Sequence, residues 1–404
     1  FSPIRVGPHT LKSRICYLPT MTCFASADGE VTRQLLDHYH RIAHGGVGMI
    51  IIGSCSVNYP QSRNNYKPIR IDDDRFIFGL NKLAETIQRH GVVAVAQLCH
   101  AGRYAKVDNP VAPSEIPGLQ FDGKMIEHRI RALSTEEVEG LVKFFARAAL
   151  RAKQAGFDMV DIHGGTGYLI TGFLSAATNK RIDKYGGSFE NRTRFLLEVI
   201  NRIKELCGEE YPIGYAMVTD DLIPGGFPLE EGKALAKLLE EAGVSYIMAR
   251  ATVYESLWKL MRGEVEALPP WKYAEIIKNE VNIPVINFMV PPDPLFMENL
   301  LREGKADIIG CARPLLCDPE LPRKAKEGRF DDIRKCLNCW ECLERFSHAR
   351  YVGCAINPEL GLEESECRIE KTERPKKVVV VGGCLLYTSP SPRDLSTSRM
   401  PSSA

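Results

Sequence analysis

The sequence predicts an α/β protein: a (β/α)8 TIM-type barrel, then a cysteine-rich segment, then the stump of a Rossmann-type domain. Three observations predict this. Short, continuously apolar runs recur eight times over the first 330 or so residues, most of them followed by a helical pattern, as parallel strands buried on both faces require. Four cysteines crowd between Cys336 and Cys354. "VVVVGG" at 378–383 reads as a buried strand entering a phosphate-binding turn, yet Cys384 stands where the Gly-x-Gly-x-x-Gly motif should continue.

The runs, in order, are RICYLP (14–19), GMIIIGSCSV (48–57), VVAVAQL (92–98), DMVDIHG (158–164), PIGYAMV (212–218), VSYIMAR (244–250), PVINFM (284–289) and ADIIGCA (306–312). Between the third and fourth, Ser134 and Glu137 stand at capping-box spacing. Val138, Leu141, Phe145 and Ala149 then make one apolar face, and Gly156 ends the helix. The last two runs lead into Asp293-Pro294 and Asp318-Pro319, each a side-chain acceptor before a residue suited to the first helical position. Eight such units fit the size of a (β/α)8 barrel. A doubly wound sheet is the alternative, because periodicity does not give strand order.

With 404 residues, 44% hydrophobic and 25% charged, the chain has material for one large domain or two ordinary ones. A net charge of +1, from 52 basic and 51 acidic side chains, supplies no long-range field for nucleic acid or a membrane surface. No apolar run reaches the length of a membrane span and no leader precedes Phe1, although the missing initiator Met reads as a clipped N-terminus. Thirteen cysteines are too dilute for a disulfide scaffold and point to a reducing, cytoplasmic setting with a metal or cluster site. The expected organisation is a barrel over 1–330, a cluster segment over 331–367, and a linker with the first strand of a truncated nucleotide-binding domain over 368–383. Residues 384–404, rich in Ser, Pro and Thr, read as an unstructured, non-native tail. Oligomeric state stays open, a homo-oligomer included.

Barrels place chemistry at the C-terminal ends of their strands. Those ends carry Pro19, Thr20, Met21 and Thr22, then Gly53-Ser54, then Gln97 before CHAGR, then HGGTGY from His163 to Tyr168. His163 is as readily a core histidine as a catalyst. Beside Tyr168, with three glycines between strand and helix, it looks like half of a donor pair held against a ligand by bare backbone. Tyr suits a general acid toward a strongly basic carbanion. The Gln97 amide gives and accepts at once, matching a flat heterocycle with carbonyl and N-H edges.

Cys336, Cys339, Cys342 and Cys354 follow C-x2-C-x2-C-x11-C. Three tightly spaced thiolates with a distant fourth suit a 4Fe-4S cubane better than the two separated pairs of structural zinc sites, which remain the alternative. Such a cluster is either an electron relay or a staple clamping the chain end to the barrel.

NKRIDKYGGSFENRTRF (179–195), AQLCHAGR (96–103), GKADIIGCARPLLCDPELP (304–322) and the cysteine quartet resemble the old yellow enzyme superfamily, more closely its iron-sulfur branch of dienoyl-CoA, bile-acid and enoate reductases and trimethylamine dehydrogenase. The resemblance spans Phe1 to Gly383. It implies FMN over the barrel mouth, hydride delivery to an activated C=C bond such as an enone or enoyl thioester, and a proton from Tyr168 with His163 holding the substrate oxygen. Pro19, Thr20, Met21, Ser54, Gln97, Met289, Ala312 and Arg313 fall at flavin-contacting positions. FAD and NAD(P)H would belong to the missing domain, with a nicotinamide or external carrier exchanging electrons through the cluster.

The chain departs from that pattern at several positions. Thr166 stands where many relatives have a second His or Asn, and Ala216 replaces a flavin-facing Arg on strand five. Phe288-Met289 replaces a phosphate-binding glycine turn, and Ala312 precedes Arg313 in place of Gly. Met21 stands where the amine-dehydrogenase branch attaches its flavin, so no thioether link is expected. Arg250, at the end of strand six, is the expected substitute for the missing cation; pairing with a carboxylate is the alternative. Cluster spacing and GCARP leave an amine or N-methyl dehydrogenase as the second reading. A flavin-free binding barrel is the third.

Overall fold

The computed structural model describes residues 1–116, 130–348 and 350–363, with isolated positions 374 and 377. The strand expected at 378–383 and the tail at 384–404 lie outside the described residues. Barrel strands are β1 (Ile15–Tyr17), β2 (Met49–Ser56), β3 (Val93–Cys99), β4 (Met159–Gly164), β5 (Ile213–Val218), β6 (Tyr246–Arg250), β7 (Val285–Ile286) and β8 (Ile309–Cys311). Each coincides with one of the eight apolar runs, β3 extending one residue beyond its run to Cys99. Parallel pairing runs in chain order from β1 to β7, β8 returns to β1, and a bridge between Ile286 and Ile308 closes the ring. Closure excludes the doubly wound sheet, which keeps two open edges.

Helices α1 (Arg33–His44), α2 (Ile77–Gln88), α3 (Thr135–Gln154), α4 (Phe189–Cys207), α5 (Leu229–Glu241), α6 (Pro270–Lys278) and α7 (Pro294–Arg302) follow the first seven strands. Ser134 and Glu137 cap α3 reciprocally, and Asp293 accepts from the Leu295 N–H at the start of α7. After β8 the expectation needs correction. Two short helices, Arg313–Cys317 and Leu321–Lys326, stand there, and Asp318 ends the first. Its carboxylate accepts from the Glu320 and Arg334 N–H groups and pairs with Lys324, so it braces the turn between the helices.

Alternation within the continuous runs decides what reaches the barrel axis. Met49, Ile51, Val93, Val95, Met159, Tyr246 and Met248 form the interior cluster, joined by Val6 and Leu11 from an N-terminal hairpin that closes the lower end. Ile50, Ile52, Ala94, Ala96, Val160 and Ile162 face outward and pack under the helices. The upper layer of inward positions is polar: Gln97, Asp161, His163 and Arg250.

The cysteine segment is tied to the barrel at several points. Val352 N–H donates to Thr22 O, the Asn357 amide to Leu316 O, and the Gln34 amide to Gly361 O, while His38 meets Glu363. No helix among the described residues is long and apolar enough to cross a membrane.

Candidate functional site

One cavity opens at the C-terminal ends of the strands. The residues expected to do chemistry or to contact the flavin line it, namely Pro19, Thr20, Met21, Ser54, Gln97, His163, Tyr168, Arg250, Met289, Ala312 and Arg313, whereas the strand-end residues Thr22 and Gly53 do not. Part of its wall comes from the cysteine segment through Trp340, Cys342, Leu343 and Val352.

His163 is the penultimate residue of β4 and is desolvated. Burial, with Arg250 nearby, pushes its imidazole down to about 3, so it is neutral in the working range. Nδ1 accepts the Gly165 N–H at 3.0 Å. The remaining nitrogen, Nε2, therefore carries the proton and is a donor. Tyr168 precedes the short helix Leu169–Leu174, and its ring centroid lies 4.9 Å from that of His163. Its phenol is 3.0 Å from the Tyr254 phenol, and burial raises it well above the ordinary tyrosine value. Such a group gives its proton only to a strong base. The glycines between His163 and Tyr168 are needed: a Cβ on Gly164 would overlap the Tyr215 phenol, and Gly167 has φ 89°.

Arg250 ends β6, beside Val218 of β5. Its Nε is buried without a hydrogen-bond partner, and its guanidinium lies 4.3 Å from the Phe288 ring centroid. No carboxylate among the described residues pairs with it, so the structural ion pair considered from sequence is absent there. Burial lowers it to about 10, leaving it charged at neutral pH. A desolvated cation facing a cavity without a counter-charge is a receptor for an anionic or electron-rich edge. Arg313 has a buried Nη1 without a partner and lies 4.9 Å from the Trp340 ring centroid. Met289 has φ 55°, so a methionine keeps the left-handed backbone that glycine favours in this turn. Thr166, also left-handed at φ 62°, supplies no second imidazole or amide.

Beneath these groups, Gln97 Nε2 donates to Asp161 at 2.8 Å, and the Tyr246 phenol donates to the same carboxylate at 2.9 Å. Ser54 takes a hydrogen bond from the Asn64 amide. Cys336, Cys339, Cys342 and Cys354 line a second, small cavity, and Cys342, Arg313, Leu316 and Trp340 line both. Asn338 and Trp340 take left-handed conformations that wrap this loop. Among the described residues no three His, Cys, Asp or Glu side chains stand together as a single metal-ion site. A cubane needs its thiolates at four separated corners, and four cysteines around one small cavity are compatible with it.

Sequence reasoning missed Asn64, Asp161, Tyr254, Trp340 and the fifth thiol, Cys317, which lies against Cys354. The inward period of β4, which places Asp161 two residues before His163, was the available signal for the aspartate. Tyr254 had none.

A closed parallel barrel whose mouth gathers a neutral imidazole, a high-pKa phenol and an unpaired cation defines a barrel of the flavin-binding redox class. The chain belongs to the NADH:flavin oxidoreductase / NADH oxidase family, whose model matches residues 1–332. It is 43% identical over 393 residues to an NADH oxidase of Thermoanaerobacter brockii, covering 95% of this chain and 59% of that protein. It is 34% identical to a cinnamate reductase of Clostridium sporogenes, covering 95% of this chain and 61% of the relative. Among solved structures it resembles a 2-naphthoyl-CoA reductase, with a TM-score of 0.82 and 29% identity over 89% of this chain and 57% of the other. The chain thus spans about three fifths of the length of these relatives.

Proposed function

We propose that this chain is the FMN-binding, substrate-reducing portion of a longer oxidoreductase that adds a hydride and a proton across an activated C=C bond. The observation that carries this reading is the placement of His163, Tyr168 and the unpaired Arg250 on one cavity. Bound FMN would supply the hydride. Arg250 would hold the electron-rich edge of its ring in place of the cation missing at Ala216, Gln97 would read an amide edge, and Pro19, Thr20, Met21, Ser54 and Ala312 would complete the bed. Arg313 and the left-handed Met289 turn would take the phosphate end.

The donor from His163 Nε2 polarises a carbonyl oxygen conjugated to the alkene, making the remote carbon electrophilic. Tyr168 then delivers its proton to the carbon that becomes basic. Its raised pKa keeps that proton in place until this happens, and Tyr254 supports the phenol through their mutual hydrogen bond.

The four cysteines would hold a 4Fe-4S cluster. Cys342 lines both cavities, which makes the segment suited to relay electrons between barrel and cluster. The remaining two fifths of the relatives' length is where a nicotinamide-linked FAD unit would lie.

The test is anaerobic purification of the chain with its bound chromophores intact. Stoichiometric FMN, about four iron and four sulfide per chain, and turnover of an enone by the reduced protein are expected. Oxidation of a methylated amine without enone reduction would reverse the direction of electron flow, and a colourless protein would remove the flavin reading.

A further inference from the structure

Asp161 is a fully buried carboxylate on the barrel axis that the proposed mechanism does not use. Its two hydrogen-bond donors come from opposite sides, Gln97 on β3 and Tyr246 on β6. The arrangement is built into the backbone. In register, Asp161 faces Gln97 on one side and Gly214 on the other, and Gly214 in turn faces Tyr246. A Cβ on Gly214 would fall 2.0 Å from the Tyr246 ring, so a bare position on β5 is what lets that ring cross the barrel and reach the aspartate. The other titratable groups close enough to feel the charge of Asp161 are Tyr215 on β5 and Cys16 on β1, both neutral. No cation among the described residues pairs with it.

An ionised carboxylate only accepts hydrogen bonds, so it selects the NH2 end of the Gln97 amide. The carbonyl end is left on the other side, where a Cβ on Gly53 would stand 3.1 Å from Gln97 Oε1, beside Pro19 at the cavity. The amide could otherwise be read in either sense by a ligand.

We propose that Asp161 is a positioning residue with an electrostatic function: it orients the Gln97 amide toward the flavin, and its charge sets how readily that flavin accepts electrons. The proposal rests on the flavin reading above. Burial raises the Asp161 carboxyl to about 7, against the lowering effect of its two donors, so its charge changes within the physiological range. Below that value the protonated acid adds no charge beneath the ring. Above it, a buried anion opposes the negative charge that reduction brings, and the flavin becomes harder to reduce.

The experiment is a redox titration of the FMN-loaded chain as a function of pH, for wild type, Asp161→Asn and Tyr246→Phe. Wild type shows a bend in midpoint potential near neutrality. Asp161→Asn loses the bend, lies above wild type at about pH 8, and converges with it at about pH 6. Its FMN affinity at the higher pH falls roughly tenfold, because an amide at 161 no longer fixes the sense of Gln97. Tyr246→Phe removes a donor to the carboxylate and moves the bend to higher pH; it also keeps the idea testable if the asparagine variant folds poorly. Superimposable curves for wild type and Asp161→Asn, or an unmoved bend in Tyr246→Phe, overturn the proposal while leaving the flavin reading intact. A wild-type chain that takes up no FMN overturns both.

Discussion

The phenol oxygens of Tyr168 and Tyr254 stand 3.0 Å apart, both buried at the barrel mouth. One proton can therefore be delivered by the first and held by the second. Tyr168→Phe should slow oxidation of the reduced protein by an enone by ~10²–10⁴, the usual worth of a general acid, while leaving flavin binding unchanged. Tyr254→Phe removes one neutral hydrogen bond and should cost about tenfold. Stopped-flow absorbance separates the two; equal effects would mean that both tyrosines merely shape the pocket.

Arg250 has no carboxylate partner among the described residues, so replacing it by Met relieves no ion pair within them and removes a contact to the ligand. A charge-assisted contact is worth about 1.5–3 kcal/mol, which places the rise in FMN Kd at roughly ten- to hundredfold. Arg250→Lys should recover part of it. Fluorescence titration with FMN decides the matter, and an unchanged Kd in the Met variant would exclude Arg250 from the flavin site.

Acid stability carries a signature of the buried groups. Asp161 is raised to about 7 in the fold, so it contributes stability that is complete below the unfolded carboxylate value and lost as pH rises toward 7. His163 and His100 are both lowered to about 3 by burial, so their contribution is present above the unfolded imidazole value and lost as pH falls toward 3. The aspartate and the histidines oppose one another between about pH 4 and 6.5. Asp161→Asn removes the opposing slope, so over that range the variant should lose stability on acidification more steeply than wild type, by about 1.4 kcal/mol per pH unit. Urea unfolding at several pH values measures this; parallel profiles would show that Asp161 titrates normally.

Serine at Cys336, Cys339 or Cys342 should abolish retention of iron and sulfide. Serine at Cys317, which touches Cys354 but stands outside the spaced quartet, should retain both. Iron analysis after anaerobic gel filtration is sufficient. Cluster loss on changing Cys317, together with retention on changing Cys339, would reassign the ligands.

Much of the fold was legible because burial on both faces leaves a local mark: each of the eight runs became a barrel strand, and Ser134 and Asp293 capped the helices they introduce. Closure was not legible, since the contact between β7 and β8 depends on a bridge from Ile286 to Ile308 that no local pattern encodes. Asp318 misled because an acceptor before proline also suits a turn between two short helices. At the site, strand-end residues were found because topology brings such ends together. Tyr254 and Trp340 were missed because neither stands at a strand end: Tyr254 opens the helix Tyr254–Met261 and Trp340 lies in a loop. After strand seven, where the resemblance leads one to expect glycine, Met289 takes the positive φ that glycine favours.

The central claim is that this cavity passes a hydride and a proton to an activated alkene. It is tested most directly by mixing anaerobically reduced, FMN-loaded chain with an enone in a single turnover and following flavin absorbance and product together. Flavin oxidation matched one to one by saturated product, slowed by orders of magnitude in Tyr168→Phe, is the predicted result. A flavin that stays reduced in the presence of the enone, or a Tyr168→Phe rate equal to wild type, would contradict it.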